Sequence, residues 1–125
     1  MTLYPSLRYR DPRAALAWLH EAFGFVERAV HEGPDGTIVH AEMDAAGGVI
    51  MLGSDEGRSE DRFGGSHAGQ SWVYVSIEDP DGVFAAAVAA GAEVVRPLED
   101  QDYGSRDFSV RDPEGNLWSF GTYAP

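Results

Sequence analysis

Residues 71–97 read SWVYVSIEDPDGVFAAAVAAGAEVVRP, and their pattern decides the fold prediction. Apolar and polar side chains alternate over 71–78, as expected for a strand with one covered face. Asp79-Pro80 then begins a helix, because an aspartate side chain can cap the free amides and a proline suits the first turn. Gly91 ends that helix in a left-handed cap, and 92–97 returns as a strand. The stretch therefore predicts strand, helix and strand in direct succession.

The same order of elements occurs earlier in the chain. A strand over 3–10 precedes Asp11-Pro12 and a helix, and Gly24 separates that helix from a strand over 25–32. Each half continues with further strands, over 37–44 and 48–54 in the first half and over 106–111 and 116–123 in the second. Both helices have apolar residues at helical spacing: Ala15, Leu16, Leu19, Ala22 and Phe23, then Phe84, Ala87 and Val88. The internal repeat predicts a pair of βαβββ modules.

The length of 125 residues suits one domain. We therefore predict a single α+β domain over 1–125, with module one at 1–54, a linker at 55–70 and module two at 71–125. The linker reads DEGRSEDRFGGSHAGQ and is polar and glycine-rich, which is typical of a loop. Each module is expected to form a concave sheet with its helix on the outer face.

Charge and composition exclude several classes of function. The chain carries 21 acidic residues against nine arginines and no lysine, a formal net charge of −12. Such a surface repels phosphate backbones and anionic lipid, which disfavours nucleic-acid and membrane-surface partners, although acidity can also serve solubility alone. There is no cysteine, so disulfides and thiolate chemistry are excluded. No apolar run approaches the ~20 residues of a membrane span, and the N-terminus lacks the features of a secretory signal. We predict a cytoplasmic protein.

Alternation within the strands separates the two faces of each sheet. A turn at Ala46-Gly47 pairs Glu42 with Met51 and His40 with Gly53 on the cavity side, and leaves Ala41, Met43, Ile50 and Leu52 on the helix side. In module two, Phe108, Val110, Trp118 and Phe120 are expected on the helix side. The ligand-binding residues that alternation predicts for the concave surface are His40, Glu42, Met51, Trp72, Tyr74, Asp107, Ser109 and Ser119. Trp18 and Trp118 are interpreted as packing residues.

Several strings resemble the vicinal oxygen chelate superfamily, which includes glyoxalase I, extradiol dioxygenases, fosfomycin-modifying enzymes and bleomycin-resistance proteins. They are LHEAFGF at 19–25, IVHAEMD at 38–44, VIMLGSD at 49–55 and AAGAEVVRPLEDQDYGSRDFSVRDPEGNLWSFGTY at 89–123. The chain looks most like the PhnB-like or bleomycin-resistance-like branch. That resemblance implies paired βαβββ modules, and a homodimer whose crevices lie between subunits.

The resemblance also bears on metal binding. Metal-dependent relatives hold a divalent ion at a position on the first and last strand of each module, and here these positions match Tyr4, Met51, Trp72 and Ser119. None of these side chains is a good ligand for such an ion, so no metal and no cofactor is predicted. The match implies that Tyr4 also faces the concave surface, and Tyr4 is therefore added to the predicted ligand-binding residues. A displaced metal site of His31, His40 and Glu42 is the alternative.

Two functional interpretations follow. Aromatic rings and a methionine near carboxylates suit a planar, neutral or cationic molecule, and drug-resistance relatives sequester such molecules without changing them. We therefore predict a metal-independent binding protein for an aromatic ligand, such as an antibiotic, with no catalytic residue. The alternative is a lyase- or isomerase-type enzyme that uses His40, Glu42 or Asp107 as acid and base, with a His40–Glu42 or His40–Asp107 pair. The rings could instead fill their own cavity or bury a subunit interface.

Overall fold

The computed structural model describes residues 1–55, 68–69 and 71–125. Nearly all of the predicted linker, 55–70, lies outside these residues. The elements are β1 (Ser6–Tyr9), α1 (Pro12–Phe23), β2 (Val26–Glu32), β3 (Ile38–Ala45), β4 (Gly48–Ser54), β5 (Trp72–Ser76), α2 (Pro80–Ala89), β6 (Glu93–Asp100), β7 (Arg106–Arg111) and β8 (Leu117–Gly121). Their order confirms the α+β prediction of paired βαβββ modules.

Each module forms its own four-stranded sheet. Sheet one has the order β1-β4-β3-β2 and sheet two the order β5-β8-β7-β6. The first strand of each module pairs in parallel with the last strand, and the remaining pairs are antiparallel. The predicted register is confirmed: Glu42 lies opposite Met51 and His40 opposite Gly53. The turn that sets this register has Ala46 at φ 51° and Gly47 at φ 86°, as a tight two-residue hairpin requires.

Both helices begin as the sequence predicts. The Asp11 carboxylate accepts a hydrogen bond from the Ala14 amide at 3.1 Å, and Asp79 accepts one from the Gly82 amide at 3.1 Å. Gly24 ends α1 with φ at 76°. The prediction that Val88 belongs to the buried face of α2 is wrong, because Val88 is 47% exposed. The buried residues of α2 are Pro80 and Ala87.

Some strand boundaries differ from the predicted ones. The first strand begins at Ser6 and not at residue 3, and β6 extends three residues beyond the predicted end at Pro97. Pro97 lies in an edge strand, where a missing amide is tolerated. The ladder between β6 and β7 is irregular between Arg96 and Glu99, on either side of that proline.

The helix-covered sides of both sheets contribute to one hydrophobic core. Phe23 at the end of α1 contacts Trp118 and Phe120 of β8, with ring centroids 5.3 and 4.6 Å apart. Trp118 is fully buried, and the indole nitrogen of Trp18 donates to the Ala90 carbonyl at 2.8 Å. Trp18 and Trp118 are therefore packing residues, as predicted.

A buried carboxylate links the modules. Asp112 accepts hydrogen bonds from the Tyr9 hydroxyl at 2.6 Å, the Trp118 indole nitrogen at 3.1 Å and the Asn116 amide at 3.3 Å. Burial, with the adjacent Asp112 charge, raises the pKa of the Tyr9 phenol well above its ordinary value. Tyr9 therefore stays protonated and acts as the donor. Within the described residues, neither helix has the length and apolar run needed to cross a bilayer.

Candidate functional site

The predicted binding residues lie on the sheet surfaces that the helices leave uncovered, and these surfaces belong to separate modules. We call the surface of sheet one "face one"; its predicted residues are Tyr4, His40, Glu42 and Met51. We call the surface of sheet two "face two"; its predicted residues are Trp72, Tyr74, Asp107, Ser109 and Ser119. Among the described residues, no hydrogen bond, ion pair or ring contact joins these groups. One chain therefore presents two half-surfaces where the sequence predicts one concave surface.

Face one contains a cavity of about 300 Å³, lined by Tyr4, Arg28, Glu42, Val49 and Met51. The cavity walls combine an aromatic ring and a thioether with a carboxylate. Tyr4 comes from the segment before β1 and is half-exposed. The lining of the cavity confirms the prediction that Tyr4, Glu42 and Met51 lie close together. The cavity is open to solvent.

Arg28 and Val49 were not predicted for this face. The ladder between β2 and β3 shifts its register between Glu27 and Ala29, which leaves Arg28 as an extra residue in a bulge. A bulge re-aims a side chain, so simple alternation places such a residue incorrectly. The residue before the bulge, Glu27, pairs with Met43 and lines a different depression beside α1.

The charge of Glu42 is partly balanced within face one. The Nε2 atom of His40 lies 3.1 Å from Glu42 Oε2, which confirms the predicted His40–Glu42 pair. The Arg28 Nε atom lies 3.9 Å from Glu42 Oε1, and Arg28 also pairs with Asp44 at 3.2 Å. Face one is therefore less acidic than the net charge of the chain implies.

The predicted His40–Asp107 pair is wrong. His40 lies on sheet one and pairs with Glu42, while Asp107 lies on sheet two and contacts Gln101 and Tyr103. His31 lies directly opposite His40, with ring centroids 5.8 Å apart. Across residues 1–55, 68–69 and 71–125, however, no group of three or more histidine, aspartate or glutamate side chains is placed to hold a metal ion. The alternative site of His31, His40 and Glu42 is therefore not assembled.

Face two is dominated by Trp72, whose side chain is held at one end and open at the other. The indole nitrogen donates a hydrogen bond to the Ser119 hydroxyl at 2.9 Å, and Ser119 lies 2.7 Å from the Ser109 hydroxyl. Ser109 and Ser119 are both buried, whereas Trp72 is 72% exposed. The two serines therefore fix the orientation of an exposed aromatic ring, which is the arrangement expected of a stacking platform.

The rest of face two is built around Asp107. This buried carboxylate accepts hydrogen bonds from the Gln101 amide at 3.0 Å and from the Tyr103 hydroxyl at 3.0 Å. The Tyr74 hydroxyl donates to the Tyr123 carbonyl at 2.7 Å. Sequence reasoning missed Gln101 and Tyr103, because they lie in a loop where strand alternation carries no signal. It included Tyr123 in a strand over 116–123 without assigning it to the surface, whereas β8 ends at Gly121.

The electrostatics of face two keep its tyrosines neutral. The hydrogen bond to Asp107 raises the pKa of the Tyr103 phenol. Partial burial is the main cause that raises the pKa of the Tyr74 phenol, and the Asp107 charge adds to it. Both groups therefore present a neutral ring and a hydroxyl donor near neutral pH.

The residues at the family's metal positions do not fit a divalent ion. The indole nitrogen of Trp72 has no lone pair to offer a metal, because that pair belongs to the aromatic ring, and its N–H donates to Ser119. Met51 supplies a thioether, which is a soft ligand unsuited to magnesium or manganese. The donor chemistry at these two positions thus disagrees with the divalent ion that metal-dependent relatives are expected to hold there.

Comparisons with known proteins agree with this architecture. The sequence profile of the Glyoxalase/Bleomycin resistance protein/Dioxygenase superfamily matches residues 3–120. The crystal structure of TioX from Micromonospora sp. ML1 superposes with a TM-score of 0.85 at 35% identity, covering 99% of each chain. A glyoxalase/bleomycin resistance protein/dioxygenase family enzyme from Burkholderia phytofirmans has a TM-score of 0.73 at 20% identity, with 94% of each chain covered, and supports the fold alone.

A sequence relative extends the same result. An uncharacterized protein of Mycobacterium bovis is 34% identical over 126 aligned positions, which cover 95% of this chain and 81% of that protein. The profile match, this relative and the paired βαβββ modules lead to one conclusion. The chain belongs to the glyoxalase/bleomycin resistance protein/dioxygenase superfamily.

Proposed function

We propose that this chain is a binding protein that holds a planar aromatic molecule against its uncovered sheet faces and sequesters it without chemical change. The observation that carries the proposal is the environment of Trp72, a ring that is 72% exposed although its N–H is fixed by Ser119. An exposed ring held in one orientation gains from a stacking partner and loses little conformational entropy when one binds. The family name supports this class of function, since it includes bleomycin resistance proteins.

We also propose that the working form is a homodimer. Each chain offers two half-surfaces, and Tyr4, Trp72 and Tyr74 remain exposed on them. A twofold pairing that sets face one of one protomer opposite face two of its partner would turn both half-surfaces into crevices. Exposed apolar surface of this kind usually marks a partner. Light scattering at micromolar concentration should give twice the mass of the chain, and a monomer would contradict this arrangement.

Binding by this mode uses no metal. Met51 and Trp72 are poor ligands, as the indole N–H of Trp72 is already committed to Ser119. Polar contacts would come instead from Glu42 and its partners on face one and from the hydroxyl groups of face two. A cysteine-free chain is suited to a reducing compartment, and we propose the cytoplasm as its location.

The His40–Glu42 pair favours a second candidate function. The 3.1 Å contact would orient the imidazole, as in a general acid–base pair. An isomerase- or lyase-type enzyme would use this pair beside the cavity of about 300 Å³. In an enzyme of this kind, His40→Gln would abolish turnover and Trp72→Ala would chiefly weaken substrate affinity. In a binding protein, Trp72→Ala would weaken ligand binding more than His40→Gln.

The central test uses acridine and quinoline as probes, with binding followed by calorimetry. Trp72→Ala should lower the affinity by roughly ten- to a thousandfold, since the change removes stacking and the burial of a large side chain. Val88→Ala is the matched control, because Val88 is an exposed apolar residue on α2 away from both faces. Equal affinities for wild type and Trp72→Ala, with unchanged melting temperatures, would refute the proposal.

A further inference from the structure

Asp107 is a buried carboxylate without a cationic partner. Its oxygens accept hydrogen bonds from the Gln101 amide and the Tyr103 hydroxyl, which are both neutral donors. In the described part of the chain, no arginine or histidine forms an ion pair with it, and its sequence neighbour Arg106 pairs instead with Asp81 and Asp100. Buried charges are usually paired, so Asp107 stands out as a negative charge available to a positive one.

Three tyrosines lie near this carboxylate: Tyr103 contacts it, Tyr74 lies close to it and Tyr123 packs against Tyr103. The Tyr103 and Tyr123 rings lie with centroids 6.1 Å apart at 83° to each other, so they form two walls of a corner. Tyr74 is tied to the same corner by its hydrogen bond to the Tyr123 carbonyl. Gly121 allows Tyr74 to lie close to Asp107, because a Cβ at position 121 would lie 2.7 Å from Asp107 Cβ and 2.8 Å from the Tyr74 hydroxyl oxygen.

Rings grouped around a buried carboxylate suit an alkylated ammonium group. Such a cation is attracted to ring faces by their quadrupoles and needs no hydrogen bond. This matters here because Gln101 and Tyr103 already donate to Asp107. The nearby carboxylate adds direct attraction, which is less screened in a partly buried position.

The position of this cluster relative to Trp72 sets the shape of the ligand. Trp72 and Tyr74 lie two residues apart on β5 and project from the same face, a separation of roughly 7 Å along a strand. A ligand can therefore stack its planar part on Trp72 and direct a charged group toward Asp107. Tyr103 and Tyr123 are exposed enough to admit that group.

We propose that Tyr74, Tyr103, Tyr123 and Asp107 form a subsite for the alkylated ammonium group of an aromatic ligand. The proposal deepens the proposed binding function and rests on it. It predicts discrimination by charge between molecules of equal shape. The subsite is separate from the stacking platform, so the two can be tested with different substitutions.

The test compares (3-hydroxyphenyl)trimethylammonium with 3-tert-butylphenol, which has the same shape and no charge. Calorimetry on the full chain should show that wild type prefers the cation by about tenfold. Asp107→Asn should reduce this preference to less than about twofold while the affinity for 3-tert-butylphenol stays unchanged. Asp102→Asn is the matched control, because it removes an exposed carboxylate from the same loop and alters the net charge equally.

A second pair of variants keeps the test valid if Asp107→Asn fails to fold. Tyr103→Leu removes an exposed ring and should abolish most of the preference, whereas Tyr103→Phe keeps the ring and should retain most of it. Equal binding of both probes to wild type would overturn the subsite and leave the binding function standing. Failure of both probes to bind would overturn the binding function and the subsite with it. A preference that persists in both Asp107→Asn and Tyr103→Leu would also overturn the subsite.

Discussion

The Trp72 indole nitrogen lies 2.9 Å from the Ser119 hydroxyl oxygen, so a buried residue of β8 fixes an exposed ring of β5. The two strands are parallel neighbours, with Tyr74 directly opposite Ser119 in the ladder. Ser119 also contacts Ser109 on the next strand. The orientation of the Trp72 ring is therefore set by contacts that involve three strands of sheet two.

Ser119→Ala should weaken acridine binding by about two- to tenfold, because one hydrogen bond contributes about 0.5–1.5 kcal/mol. The loss should be smaller than that of Trp72→Ala, since the ring remains present. Fluorescence titration measures the effect. Ser76→Ala is the control, as Ser76 is an exposed serine on β5, and an equal loss in that variant would contradict the anchoring role of Ser119.

Tyr9→Phe should destabilise the fold by about 1.5–3 kcal/mol, because it removes a buried donor to the Asp112 carboxylate. Urea unfolding gives the free energy of unfolding for both proteins. Tyr4→Phe removes the same hydroxyl from a half-exposed residue and should change stability by less than about 0.5 kcal/mol. Similar values for the two variants would mean that Asp112 does not depend on Tyr9.

Stability should also decline in alkaline solution through Tyr9. Burial and the Asp112 charge raise the pKa of its phenol in the folded chain above the ordinary value of 10.0. Above pH 10 the Tyr9 phenol loses its proton in the unfolded chain and keeps it in the folded chain. The stabilisation that Tyr9 contributes is therefore complete below pH 10 and falls above it. The stability gap between wild type and Tyr9→Phe should narrow by about 1.4 kcal/mol at pH 11.

This measurement isolates Tyr9. The pKa values of Tyr74 and Tyr103 are also raised, and their contributions decline in the same direction, but both residues are present in both proteins. Urea unfolding at pH 8 and pH 11 gives the required difference. A gap that stays constant or widens at pH 11 would show that the folded chain does not hold the Tyr9 proton.

Treatment with a chelator should leave the melting temperature unchanged. A metal that binds only the folded chain would add stability, and its removal would lower the melting temperature. Met51 and Trp72 offer no suitable donors, and the described residues contain no cluster of three metal-binding side chains. Elemental analysis of protein purified without added metal provides the second readout, and one ion per chain would contradict the prediction.

The sequence was sufficient for features that depend on local chemistry. Asp11 and Asp79 cap their helices because the capping contact spans only three residues. The Ala46-Gly47 turn fixes the pairing of Glu42 with Met51, so the residues that β3 and β4 contribute to face one followed from alternation.

Features that depend on irregular or distant structure were not predicted. Arg28 reaches face one through a bulge, which breaks the alternation on which the prediction relied. Tyr103 reaches Asp107 from a loop without periodicity, and Tyr123 contacts Tyr74 through its backbone carbonyl, beyond the end of β8. Which residues of the two sheets come together depends on long-range contacts such as that of Tyr9 with Asp112, which join the modules and leave no signal in the local sequence.

The proline in β6 has a consequence for how chains meet. An edge strand with free backbone groups can template the addition of another strand and so promote aggregation. Pro97 has no amide to offer, and the exposed charges of Arg96 and Glu99 lie on either side of it, where the ladder is already irregular. The β6 edge of sheet two is therefore protected against strand addition. This acidic chain can reach a high concentration without edge-to-edge aggregation, while face one and face two stay free for specific contacts.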